Sequence, residues 1–110
     1  MVRVVHYVAR NGRDHFGRWM QAQAPHVRVR LQSRINRIKL GNFGDHKGVG
    51  RGVSELRMHF GPGYRVYYGR DGDDLVLLLV GGAKNRQARD IQQAQALWSE
   101  YNQEKRDAHT

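Results

Sequence analysis

The chain contains no cysteine, which excludes a disulfide framework, a thiolate zinc site and a thiol nucleophile. It also lacks any apolar run near the ~18 residues needed to span a membrane. The N-terminal stretch MVRVVHYVARNGRDHF has neither the uncharged core nor the small-residue cleavage site of a signal peptide, so a cytoplasmic location is expected. Only two prolines occur, and both mark boundaries: Pro25 stops one helical pattern and opens the next, and Pro62 sits at the centre of a turn. Acidic residues are outnumbered, ten against nineteen Lys and Arg, for a net charge of +9.

A surplus of that size calls for a polyanionic partner such as nucleic acid, the ribosome, an acidic membrane or an acidic protein; a soluble protein that is simply basic is the alternative. Arginine dominates over lysine, and its forked donors suit bidentate contact with phosphate. A length of 110 residues fits one domain, residues 1–110, with no visible linker or repeat.

Residues 2–8 are β-branched and aromatic and end at the turn signal Asn11-Gly12, which predicts a first strand. From Asp14, placed as an N-cap, Phe16, Trp19 and Met20 follow a helical spacing to about Ala22. Val27, Leu31, Ile35 and Ile38 carry a second helical stripe to Leu40, giving a two-helix hairpin. This basic helix could lie on an acidic membrane, but its stripe is needed to cover a sheet, so no membrane partner is expected. Residues 41–52 hold five glycines and read as a loop carrying Asp45, His46, Lys47 and Arg51.

The run LVLLLV at residues 75–80 is apolar on both faces, as an interior strand would be. Gly81-Gly82 ends it, and Ala83-Lys84-Asn85-Arg86-Gln87 leads into a last helix. There Ile91, Ala94, Leu97, Trp98 and Tyr101 repeat at helical intervals and Asp90 favours the positive helix end. Residues 102–110 lack periodicity and should fray. The order predicts an α+β fold: an N-terminal strand, a two-helix hairpin, a mainly antiparallel three-strand meander and a C-terminal helix.

The hairpin ELRMHFGPGYRVYYG alternates strictly. With Phe60 opposite Tyr64, one face holds Leu56, Met58, Phe60, Tyr64, Val66 and Tyr68, and the other Glu55, Arg57, His59, Arg65 and Tyr67. The second face reads either as a solvated polar surface or as a site for a nucleotide, because Arg, His and Tyr supply forked donors, a titratable imidazole and a stacking ring. It also matches metal-free RNA cleavage, which needs fixed cations for the charge on phosphorus and a proton carrier such as His59. The histidines and Asp45, Asp71, Asp73 and Asp74 have no compact metal-ligand spacing, and Gly81-Gly82-Ala83-Lys84 lacks the spacing of a nucleotide-triphosphate loop, so neither metal nor cofactor is expected.

Glu55-Leu56-Arg57, the FGPGYRVYY hairpin, LLLVGGAK at residues 77–84, the Gly-rich loop and the closing Ala/Leu/Trp helix together resemble the RelE/ParE superfamily of toxins, in its HigB-like addiction-module branch. The likeness covers residues 5–101. It implies a small α+β toxin whose RelE-type members cut messenger RNA in the ribosomal A site without a metal. It also implies a cognate antitoxin, often DNA-binding, that inactivates the toxin in a hetero-oligomer. The family's basic positions fall on Lys47, Arg57, Arg65 and Lys84. His46, Arg51 and Arg86 are added as RNA-binding candidates. The Tyr or His that such toxins carry late in the active surface has no counterpart after Val80, so His59 and Tyr67 stand as local candidates for proton transfer. ParE-type relatives inhibit DNA gyrase by protein binding, and that reading stays open, as does a non-catalytic nucleic-acid-binding module.

Overall fold

The valine-rich N-terminal segment forms strand β1, Arg3–His6, in the structure, a computed structural model that describes residues 1–109. Helix α1, His15–Gln21, starts as its sequence requires: the Asp14 carboxylate accepts a hydrogen bond from the Gly17 amide at 2.8 Å. Helix α2, Pro25–Lys39, places proline in its first turn and buries Val27, Leu31, Ile35 and Ile38. Strands β2, His46–Gly50, β3, Val53–Met58, β4, Tyr64–Asp71, and β5, Leu75–Ala83, follow. A 3₁₀ turn, Lys84–Arg86, leads into helix α3, Gln87–Ala108. The result is an α+β fold around a five-stranded mixed sheet of order β1-β5-β4-β3-β2, with β1 parallel to β5 and the other pairs antiparallel.

The expected meander is present as β3-β4-β5, and the sheet extends past it on both sides. Strand β2 forms within the glycine-rich segment read as a loop, because the open edge of β3 supplies ladder partners: Lys47 pairs with Glu55 and Gly48 with Ser54. The hairpin register is shifted from the expected one. Met58, not Phe60, stands opposite Tyr64, leaving residues 59–63 as the connection. A shift of that size preserves which side each residue faces, since strand side chains repeat every second residue.

Two cores result. Leu56, Met58, Val66, Tyr68, Val76 and Leu78 pack with the apolar stripes of α1 and α2, with Phe60 and Tyr64 partly buried against them. On the other side Val53, Tyr67, Leu77, Leu79 and Val80 pack against Ala94, Leu97 and Trp98 of α3. Strand β5 lies between β1 and β4 with both faces covered, as its unbroken apolar run predicts. The face expected to be open at Glu55, Arg65 and Tyr67 is therefore covered there by α3, and all three side chains are buried.

The expected fraying from residue 102 does not occur, and the helix continues to Ala108; Thr110 lies outside the described residues. Polar contacts replace the missing apolar stripe. Tyr7 Oη donates to Glu104 at 2.9 Å, and Lys105 Nζ donates to Asp71 at 2.9 Å. Tyr101 Oη donates to the same Asp71 carboxylate. Burial, with that hydrogen bond, pushes the Tyr101 phenol up to about 12, and the donors of Tyr101 and Lys105 hold the Asp71 carboxyl below its usual range. No helix among the described residues is long and apolar enough to cross a membrane.

Candidate functional site

The ladder brings distant residues into two adjacent rows on the α3 side of the sheet. Lys47 pairs with Glu55, and Glu55 with Tyr67; Arg57 pairs with Arg65, and Arg65 with Gly82. Past the N-terminal end of α3 these rows open into a groove of about 540 Å³ lined by Lys47, Arg57, His59, Arg65, Lys84 and Gln87. The Gly61-Pro62-Gly63 tip forms one wall, and the Lys84 amide donates to Gly63 O at 2.7 Å, which ties the tip to the 3₁₀ turn. Residues separated by almost forty positions thus present cations to one space.

The members differ in their freedom. Lys47 and Lys84 are exposed. Arg65 is only 5% exposed; its Nη1 donates to Tyr64 O at 3.1 Å while Nε has no partner. It is a cation in the floor rather than a surface side chain. Glu55 is wholly buried beside it, with Oε2 accepting from Gln87 Nε2 at 3.3 Å and Oε1 unpartnered. Tyr67 lies under α3 with no partner for its hydroxyl, and burial, reinforced by the Glu55 and Asp90 carboxylates, pushes its phenol up. Its expected place on an accessible face is corrected by the α3 packing.

Asp45 organises the outer wall. Its Oδ1 accepts from Arg57 Nε at 3.2 Å and Nη2 at 3.0 Å, and its Oδ2 lies 2.5 Å from His59 Nε2. The His59 and Arg57 hydrogen bonds hold the Asp45 carboxyl below its ordinary range. Because a carboxylate only accepts, His59 donates through Nε2, which turns Nδ1 toward other partners. The His59 side chain is 69% exposed, so the ring is open to solvent or a ligand.

Sequence reasoning did not single out Asp45 as a site residue. Its only local signal is that it is the sole carboxylate between Gly41 and Ser54. Nor did it mark Arg30, Arg34 and Arg37 of α2, which line a second basic groove of about 560 Å³ on the other side of Arg57 and His59. There the Arg30 guanidinium stands 3.8 Å over the Phe60 ring, and Arg34 Nη2 donates to Asp45 O at 3.1 Å.

Three expected RNA contacts lie elsewhere. His46, paired with Leu56, faces the α2 side and bonds Gly44 O through Nδ1 at 2.8 Å. Arg51 sits at the β2–β3 turn with φ 54° and lines a separate cavity beside Trp98 and Arg106. Arg86 lies beyond Lys84 and lines a third cavity. Among the described residues no three His, Asp or Glu side chains gather in a way that could hold a metal ion.

The groove therefore presents the cations of Lys47, Arg57 and Lys84 to one space, with Arg65 beneath and His59 at the margin, an arrangement with the charge to suit an anionic group. No protein-family model matches the chain, and no solved structure does. An uncharacterized protein of Haemophilus influenzae is 46% identical over 74 residues, an alignment that covers 67% of this chain and 75% of that protein. The chain therefore belongs to one family with this uncharacterized Haemophilus influenzae protein.

Proposed function

We propose that the chain is the toxin of a type II toxin–antitoxin module, a RelE-like, metal-independent endoribonuclease that cuts messenger RNA on the ribosome and thereby stops translation in the cytoplasm. The observation that carries this reading is the convergence of Lys47, Arg57, His59, Arg65 and Lys84 on one groove. A cognate antitoxin, with acidic residues to match the +9 charge, would neutralise it by covering that groove.

In the proposed reaction a ribose 2′-hydroxyl loses its proton and its oxygen bonds to the adjacent phosphorus. The bond from phosphorus to the 5′-oxygen breaks, and that oxygen leaves with a proton, giving a 2′,3′-cyclic phosphate and a 5′-hydroxyl. Lys84, Lys47 and Arg57 stabilise the charge that gathers on the phosphorane oxygens, and the buried Arg65 adds a fixed positive field below them. His59, oriented by Asp45, moves one proton through Nδ1.

Purified protein added to translating ribosomes tests the proposal. Messenger ends mapped inside the A-site codon support it. Uncut messenger together with blocked gyrase supercoiling would instead assign the chain to the toxins that act by binding a protein.

A further inference from the structure

A separate cleft of about 460 Å³ opens where β1 ends. β1 pairs with β5 only from Leu75 to Leu78, so the last residues of β5 keep a free edge between α1 and the start of α3. Gly81 and Gly82 let two side chains lie over this edge from opposite faces: a Cβ at 81 would collide with the Trp19 ring, and one at 82 with the Asp90 carboxylate. Trp19 meets Tyr64 edge-on, with ring centroids 6.1 Å apart. Asp90 is 4% exposed, and its Oδ2 has no hydrogen-bond partner. A buried acceptor without a donor is costly, and it marks a place where a ligand can supply one.

The cleft adjoins the basic groove. Pro62 lines both, and the 3₁₀ turn separates them, with Lys84 on the groove side and Arg86 on the cleft side. Lys84 and Arg86 thus stand on either side of the turn, and Trp19 lines the cleft beyond it.

We propose that the cleft is a nucleobase subsite that takes guanine, stacked on the Trp19 ring with the Tyr64 ring at its edge, with its ring N–H and exocyclic amine donating to Asp90 and its phosphate on Arg86. The assignment rests on the RNA reading of the adjoining groove. Stacking on aromatic rings with hydrogen bonds to the base edge is how unpaired nucleotides are read. Uracil has a ring N–H but no exocyclic amine, so it leaves part of the acceptor unmet. A partner protein's Lys or Arg fits less well, because Arg86 lines the same cleft and repels a second cation. A nucleotide has a neutral donor edge for Asp90 and an anionic phosphate for Arg86, and so suits both.

The test is a titration of the ¹⁵N-labelled full chain with guanosine 5′-monophosphate and, separately, uridine 5′-monophosphate. The Trp19 indole N–H is followed, identified by its loss in Trp19→Phe. The guanosine nucleotide is expected to shift that signal saturably and to bind about tenfold or more tightly than the uridine one. Asp90→Asn, which keeps the side-chain shape and removes a buried charge, should fold and abolish the preference. An unmoved Trp19 signal, equal affinities for the two nucleotides, or tighter binding of an arginine-rich peptide would each overturn the subsite. Messenger cutting that persists without any guanosine response removes the subsite and leaves the groove reading intact. A guanosine response in a protein that cuts no messenger does the reverse.

Discussion

Tyr67 stands directly opposite Glu55 in the β3–β4 ladder, and both side chains are wholly buried, leaving Tyr67 Oη and Glu55 Oε1 without hydrogen-bond partners. The hydroxyl thus reaches neither solvent nor groove. Tyr67→Phe should keep full activity in a messenger-cleavage assay and should melt at the same or a higher temperature, since removing an unpaired buried polar group is neutral or stabilising. A large loss of rate in a normally folded Tyr67→Phe would show that the hydroxyl takes part in the chemistry.

Val66, the neighbour of Tyr67 on the other face, is fully buried against the α1 and α2 core. Val66→Asp places an unpaired charge there and should prevent folding, read as loss of the cooperative thermal transition. A cooperative transition near that of the unaltered chain would contradict the assigned faces.

These faces were legible from the sequence because alternation survives a register shift of two residues, from Phe60 to Met58 opposite Tyr64. What α3 covers was not legible. Glu55 and Arg65 are residue types that normally stay in water, so nothing local signals that they lie beneath a helix. Strand β2 was hidden for a related reason: its glycines carry no alternation, and only the open edge of β3 makes it a strand. Asp45 and the α2 arginines meet Arg57 and His59 through tertiary packing, which spacing along the chain does not encode. By contrast Lys47, Arg57, His59, Arg65 and Lys84 were all marked in the sequence, and the fold brings all of them to one groove.

The C-terminal end of α3 is fastened through Asp71, which accepts from both Tyr101 and Lys105. Asp71→Asn should lower stability by about 1 kcal/mol near neutral pH, a modest figure because the site is partly open to solvent. Since the Asp71 carboxyl is depressed in the folded chain, this contribution is complete above the ordinary carboxyl value. It disappears as pH falls below about 4, where the variant and the unaltered chain should converge in chemical denaturation. The Tyr101 phenol is raised, so its contribution is complete below about pH 10 and is lost as pH rises toward about 12. A stability difference that stays constant from acid to neutral pH would contradict the role given to Asp71.

The groove itself is best probed through its exposed cations. Arg65→Ala would remove a buried side chain and disturb the fold as well as the field, whereas Lys84 and Lys47 reach solvent and leave the core untouched when truncated. The most direct measurement is the single-turnover rate of messenger cleavage on the ribosome for Lys84→Ala and Lys47→Ala, alongside their melting temperatures. The groove account predicts a loss of about 10²-fold in rate for Lys84→Ala, as expected for removing one preorganised donor, with a clear loss for Lys47→Ala and melting temperatures unchanged. Rates equal to that of the unaltered chain in both variants would contradict it.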